Sequence, residues 1–250
     1  MVGRAFTEVL DLLAPRSCAA CGTEGAAVCG ECLAALAGPV RTVAPRYGTL
    51  PVLAAGEHRD VLRELLVAHK DRGRHDLAPL LGLALARAVD AAVHRALPGV
   101  VEGAAGTPAP TARPVFLVPV PSTRKARRRR HADHVAVLAD HAVRDLRQGG
   151  IPAQVAPVLR VAGHHDQVGA GRAGRRRNVR GTLHLREDVP EAHRARLRTG
   201  TVVVVDDVCT TGATLAESVR ALRVGRIPTQ RVATVGTTPG APCPPAVGGV

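Results

Sequence analysis

The sequence predicts an α/β fold: a small parallel sheet flanked by helices, with a cysteine-rich segment in front of it. Three observations lead there. The runs "VFLVPV" (115–120), "AQVAPVLRV" (153–161), "TVVVVDD" (201–207) and "QRVATVGT" (230–237) read as strands, and the third is too apolar to face water on either side, the pattern of a central parallel strand. Segments with apolar residues at helical spacing alternate with them, the element order of a sheet covered on both faces. Four cysteines crowd into residues 18–32. The 250 residues suffice for one large domain and a small appendage.

At the N-terminus the pattern predicts a helix at about 4–13, a knuckle at 16–33 and a short helix to about 37. Cys18, Cys21, Cys29 and Cys32 form C-x2-C-x7-C-x2-C. Two close pairs joined by a short turn have the ligand spacing of a tetrahedral four-thiolate zinc site, each pair wrapping one side of the metal. Gly22 and Gly30 relieve the backbone just after a cysteine. All four ligand positions are filled, so the zinc would be structural. A segment this short cannot bury its own core, and the metal would replace one. The alternatives are two disulfides, or reduced cysteines in a small hairpin. "MVGRAFTEVLDLLAPRSC" lacks the charged-then-apolar order of a secretion signal, which disfavours disulfides and makes the cytoplasm the default location.

In the middle, "TLPVLAAGEH" (49–58) reads as a strand and a turn, and "RDVLRELLVAHK" (59–70) as a helix with Val61, Leu62, Leu65 and Leu66 on one side. "DLAPLLGLALARAVDAAVHRAL" (76–97) reads as a long apolar helix, broken or kinked near Pro79. Residues 98–114, rich in Pro, Gly and Ala, read as an irregular loop. "HADHVAVLADHAVRDL" (131–146) is a helix with Val135, Leu138, Ala142 and Leu146 aligned, and "TGATLAESVRALRVG" (211–225) is another. The stretch 162–181 has no period and reads as a mobile basic loop. The boundaries are then a zinc-binding segment at 1–40, an α/β domain at 41–238 and a disordered tail at 239–250.

Hydrophobic residues make up 46% of the chain, but its only aromatics are Phe6, Tyr47 and Phe116, so Val, Leu and Ala must fill the core. No run of 18 uncharged apolar residues is present, and no membrane span is expected. The formal charge is +13, and every basic residue in that count except Lys70 and Lys125 is an arginine. Arginines cluster at 124–130 ("RKARRRR") and 172–177 ("RAGRRR"), groupings that suit phosphates in a small ligand or in nucleic acid. With so few aromatics for base stacking, any binding of single-stranded DNA would be phosphate-driven and salt-sensitive.

"VVVVDDVCTTGAT" (202–214) ends a buried strand in two carboxylates and turns directly into a helix. In a parallel sheet, ligands bind beyond the carboxyl ends of the strands, and an unpaired charge there is too costly to serve packing alone. Adjacent residues point to opposite sides, so at least one of Asp206 and Asp207 faces the crevice. Small residues, hydroxyls and free N–H groups at the helix start make a phosphate cradle. The combination fits a ligand with sugar hydroxyls beside a phosphate; the bland alternative is a strand with a polar turn and a helix cap. No lysine stands where a nucleotide-hydrolase P-loop needs one. Replacing both acids is expected to spare the fold, since it leaves no cavity among the valines.

This stretch resembles the phosphoribosyl-pyrophosphate motif of type I phosphoribosyltransferases. The four-cysteine start, "HKDRGRHDLAPLLG" (69–82), "VPVPSTRKARRRR" (118–130) and "RRNVRGTL" (176–183) follow the order of the ComF family, phosphoribosyltransferase-like proteins linked to DNA uptake in competent bacteria. The resemblance covers about residues 15–238. It implies a type I phosphoribosyltransferase-like sheet with an N-terminal zinc-binding segment. It implies that Asp206 and Asp207 hold the ribose hydroxyls and that Thr210, Thr211, Gly212, Ala213 and Thr214 surround the 5′-phosphate. Ser122, Thr123, Arg124 and Lys125 would lie near the diphosphate, and Arg175, Arg176 and Arg177 would close over it. Magnesium would bridge pyrophosphate and ribose oxygens. One departure stands out: "RHADH" (130–134) replaces the family's Arg-Gly-Phe-Asn-Gln-like segment and carries no aromatic. The implied function is transfer of a phosphoribosyl group to a nitrogenous acceptor. The alternatives are a non-catalytic protein that binds the ligand and single-stranded DNA beside the competence machinery, and a zinc-stabilised domain whose pocket has decayed. A homodimer is compatible with each.

Overall fold

A computed structural model describes residues 17–94, 113–122, 133–162, 180–229 and 231–238. The expected helix at 4–13, nearly all of the 98–114 and 162–181 loops, the arginine clusters and the tail from 239 lie outside those residues.

Six strands form one mixed sheet: β1 (Arg41–Val43), β2 (Val52–Glu57), β3 (Val115–Pro119), β4 (Ala153–Val155), β7 (Thr201–Cys209) and β8 (Arg231–Thr237). Their order is β1-β2-β8-β7-β3-β4, parallel throughout except for the antiparallel edge pair β1–β2. β5 (Leu159–Val161) and β6 (Leu183–Leu185) make a separate antiparallel pair. The helices are α1 (Gly30–Leu36), α2 (Asp60–Asp71), α3 (Ala78–His94), α4 (His134–Gln148), α5 (Glu191–Thr199) and α6 (Ala213–Val224).

The sheet separates two apolar cores. On one face Val203 and Val205 pack with α2, α3 and α4 through Leu65, Leu81, Leu85, Val89 and Leu138. On the other, Val202 and Val204 pack with Phe116, Leu197, Leu215 and Leu222. Full burial of each such side chain is worth about 1.5–3 kcal/mol over exposure, which is why the uninterrupted valine run settles in the centre of the sheet. Gly82 allows α3 and α4 to close on each other, because a Cβ there would sit 2.3 Å from that of His141.

Several elements differ from the sequence reading. Pro79 does not kink a helix: a 3-10 turn at His75–Leu77 precedes α3, and Pro79 falls in the first turn of α3, where its missing N–H costs nothing. The run 153–161 is two strands, because Pro157 interrupts it; β4 stays in the main sheet and β5 leaves to pair with β6. β1, β6 and α5 were not expected. Residues 75–94 are long and apolar enough to cross a membrane by length and composition, but over half of their apolar window is buried within the fold.

From β3, the next strand β4 lies on one side and β7, reached after it, on the other. Such a reversal opens a crevice at the carboxyl ends of the strands, here between β3 and β7.

Candidate ligand crevice and metal centre

Pairing of β3 with β7 ends at Pro119 and Val205, one residue before the two acids, while β7 runs on beside β8 as far as Cys209. Asp206 and Asp207 therefore stand on a stretch of β7 that β3 has left. Asp207 is buried (6% exposed). Its Oδ2 accepts from Lys70 Nζ at 2.6 Å and lies 2.9 Å from His134 Nε2, and its Oδ1 accepts from the N–H of Val208 at 2.7 Å. Burial alone would raise its pKa, but the hydrogen bond to His134 and the charge of Lys70 outweigh that and hold the carboxyl below its ordinary range. Asp206 is partly exposed, and its Oδ1 accepts from the N–H of Asp207 at 2.8 Å. Removal from bulk water and then the neighbouring Asp207 charge push it well above the ordinary range. The adjacent acids thus differ in character.

His134 is the first residue of α4 and Lys70 the penultimate residue of α2. Asp133 precedes α4 but does not cap it with its side chain. Its carboxylate instead accepts from the N–H of Ser122 at 3.0 Å and from Ser122 Oγ at 3.2 Å. Ser122 Oγ is also 3.2 Å from His134 Nδ1. An unbroken chain of polar contacts thus runs Asp133–Ser122–His134–Asp207–Lys70. Two ring nitrogens near it, His58 Nδ1 and His69 Nε2, are buried without a hydrogen-bond partner among the described residues; burial lowers the pKa of both rings.

Beyond Asp207 the chain enters the turn before α6. Gly212 takes φ +79°, and a Cβ there would meet Pro45 Cβ at 2.4 Å and Tyr47 O at 2.7 Å, so only glycine fits. Tyr47 N–H donates to Thr211 O at 2.9 Å, which ties the segment before β2 onto this turn. Thr210 and Thr211 are exposed, Ala213 and Thr214 partly so. The cap position, Gly212, has no side chain to bond the helix N–H groups, the condition in which a helix start receives an anion. Burial raises the Cys209 thiol to about 11, which makes it inert.

Of the residues singled out in the sequence, Ser122, Asp206 and Asp207 share the β3/β7 crevice, and 210–214 continue from it. Thr123, Arg124, Lys125, Arg175 and Arg176 lie outside the described residues. Sequence reasoning missed Lys70, Asp133 and His134. Two signals were available: Lys70 is one of only two lysines in an arginine-rich chain, and "HADH" stands where the resemblance has a different segment.

The cysteines meet as their spacing implied. The four Sγ atoms all lie within 4.8 Å of one another, close to the roughly 3.8 Å edge of a tetrahedron with 2.3 Å zinc–sulfur bonds. No disulfide joins them. Backbone N–H groups around Cys18 lower its thiol to about 6 against the opposing effect of burial. The cluster could hold a metal ion such as zinc. Arg74 fixes the knuckle to the domain, donating to Ser17 O at 3.2 Å and Ala27 O at 3.4 Å while Asp76 holds its guanidinium at 2.8 Å. Arg87 donates to Leu36 O and Gly38 O.

Compared with known proteins, the chain matches no family model and no curated protein.

Proposed function

We propose that this protein binds phosphoribosyl pyrophosphate with magnesium in the β3/β7 crevice and transfers the phosphoribosyl group to a nitrogenous acceptor. One observation carries the reading: an acid pair at the strand-order reversal runs straight into an uncapped, glycine-positioned helix start. Asp206 would accept ribose hydroxyls directly, and Asp207 once Lys70 swings aside. The N–H groups of 214 and 215 and the hydroxyls of Thr210, Thr211 and Thr214 would take the 5′-phosphate, while Ala213 N–H donates to Thr211 Oγ1 at 3.4 Å. Magnesium suits the hard pyrophosphate and ribose oxygens of the donor and would supply charge neutralisation for the leaving diphosphate. The protein's own part is positioning and electrostatic stabilisation. Zinc in the four-cysteine cluster would be structural. Resemblance to the ComF family, and with it a cytoplasmic role in DNA uptake, belongs to the same proposal.

Titration calorimetry with phosphoribosyl pyrophosphate and magnesium tests it. Wild type should bind, ribose 5-phosphate should compete, and free ribose should hardly compete. Asp206→Ala should weaken binding about fivefold, the worth of one ordinary hydrogen bond of about 1 kcal/mol. Absence of binding to wild type sinks the reading.

A further inference from the structure

Ser122, His134 and Asp207 stand in the order hydroxyl, imidazole, carboxylate, brought together from the ends of β3, α4 and β7. Ser122 Oγ is 3.2 Å from His134 Nδ1, and His134 Nε2 is 2.9 Å from Asp207 Oδ2. Lys70 holds the far side of that carboxylate oxygen at 2.6 Å. We propose that this array is a proton relay: Ser122 meets the acceptor, and His134 and Asp207 are positioning residues that act through it. The proposal rests on the phosphoribosyl-transfer reading.

A neutral imidazole that donates Nε2–H to Asp207 turns its Nδ1 lone pair toward Ser122, and the serine's single proton, which is directed at Asp133 Oδ1 at 3.2 Å, reaches Nδ1 at the same distance by rotation of the hydroxyl. Among the described residues, Ser122 is partly exposed at the mouth of the crevice, whereas Asp207 is buried, so the array leads from substrate side to interior. The acceptor nitrogen forms a bond to the anomeric carbon, and the carbon–oxygen bond to pyrophosphate breaks with its electron pair leaving on pyrophosphate. The acceptor's N–H proton passes to Ser122 Oγ as the serine proton passes to His134 Nδ1. With a neutral ring, Asp133, Asp207 and Lys70 leave the chain one negative charge in excess; the arriving proton balances it. Among the described residues, the other titratable side chains around it are Asp206 on β7, His69 on α2 and His58 after β2, and none of these three contributes a fixed positive charge. Lys70 alone would pair Asp207, and Asp133 alone would hold Ser122.

The test needs no acceptor. In Ser122→Cys, alkylation of the introduced thiol by iodoacetamide is followed against pH by mass spectrometry of the peptide that contains it. With His134 present, the thiol should react at least about tenfold faster at pH 6.5 than in the Ser122→Cys, His134→Gln double variant, because an adjacent imidazole stabilises the thiolate. Asp133 is common to both backgrounds and cancels. Where the glutamine variant does not fold, His134→Asn supplies the comparison. Adding Asp207→Asn should remove part of the acceleration. Equal rates with and without His134 overturn the relay, as does labelling of wild-type Ser122 by a fluorophosphonate, which would make it a nucleophile. Calorimetry with phosphoribosyl pyrophosphate separates the two ideas. Binding without the thiol effect removes the relay alone, and the thiol effect without binding removes the phosphoribosyl reading alone.

Discussion

Asp207→Ala is expected to destabilise the fold by about 2–4 kcal/mol, and Asp206→Ala by less than about 1 kcal/mol. Truncating Asp207 strands three groups: the ammonium of Lys70, Nε2 of His134 and the N–H of Val208. Removing one partner of a fully buried pair costs about 3–5 kcal/mol. The Lys70 side chain is 34% exposed and can turn to water, so its share is discounted. His134 is only 11% exposed and cannot. The Val208 amide adds about 1 kcal/mol. Asp206 is partly exposed, and among the described residues its carboxylate accepts only from the Asp207 N–H. Urea unfolding followed by circular dichroism, with zinc present, measures both; the midpoint should fall at constant slope. Against a typical stability of about 5–15 kcal/mol, the Asp207 variant should still fold. If the two variants agree within about 0.5 kcal/mol, a value no larger than coupling noise between sites, Asp207 does not carry the network.

Three more outcomes are expected. The raised carboxyl of Asp206 keeps its proton in the fold after the unfolded chain has released it, so above the ordinary carboxyl range this residue makes stability fall as pH rises; Asp206→Asn should gain on wild type in urea midpoint from pH 4 to 7. The lowered carboxyl of Asp207 acts oppositely: its contribution is present above the ordinary range and lost on acidification. Elemental analysis should find one zinc per chain, lost in Cys29→Ser, whereas Cys209→Ser should retain it because Cys209 stands outside the cluster. Gly212→Ala should lower stability by more than about 1 kcal/mol through its positive φ and the approach of Pro45 and Tyr47; an unchanged melting temperature would show that this turn yields freely.

What was legible in the sequence follows from how local each cause is. β7 announced itself because four consecutive valines need burial on both faces, and the cysteine cluster because its ligands are near neighbours in the chain. α5 was not legible: of its nine residues only Leu197 is buried, so it has almost no apolar period to read. β1 and β6 are three residues each, set by pairing partners elsewhere. The crevice was half legible. Asp206 and Asp207 could be placed at a strand end, but Lys70 reaches Asp207 across 137 residues and His134 across 73. No local pattern encodes such pairings. That is also why the two acids read as equivalent, although Lys70 and His134 meet only Asp207.

β7 lies between β8 and β3, with Val203, Val204 and Val205 fully buried. Amides in such a strand exchange with solvent only when the whole domain opens, while turns and helix ends exchange through small local openings. The acid pair is thus mounted on the slowest-exchanging part of the molecule, and the groups that meet it from the ends of α2 and α4 belong to faster ones. Deuterium uptake should accordingly respond to a ligand in the residues around Lys70 and Ser122 and leave the valine amides unchanged, the wall of the crevice holding still while its cations are exchanged.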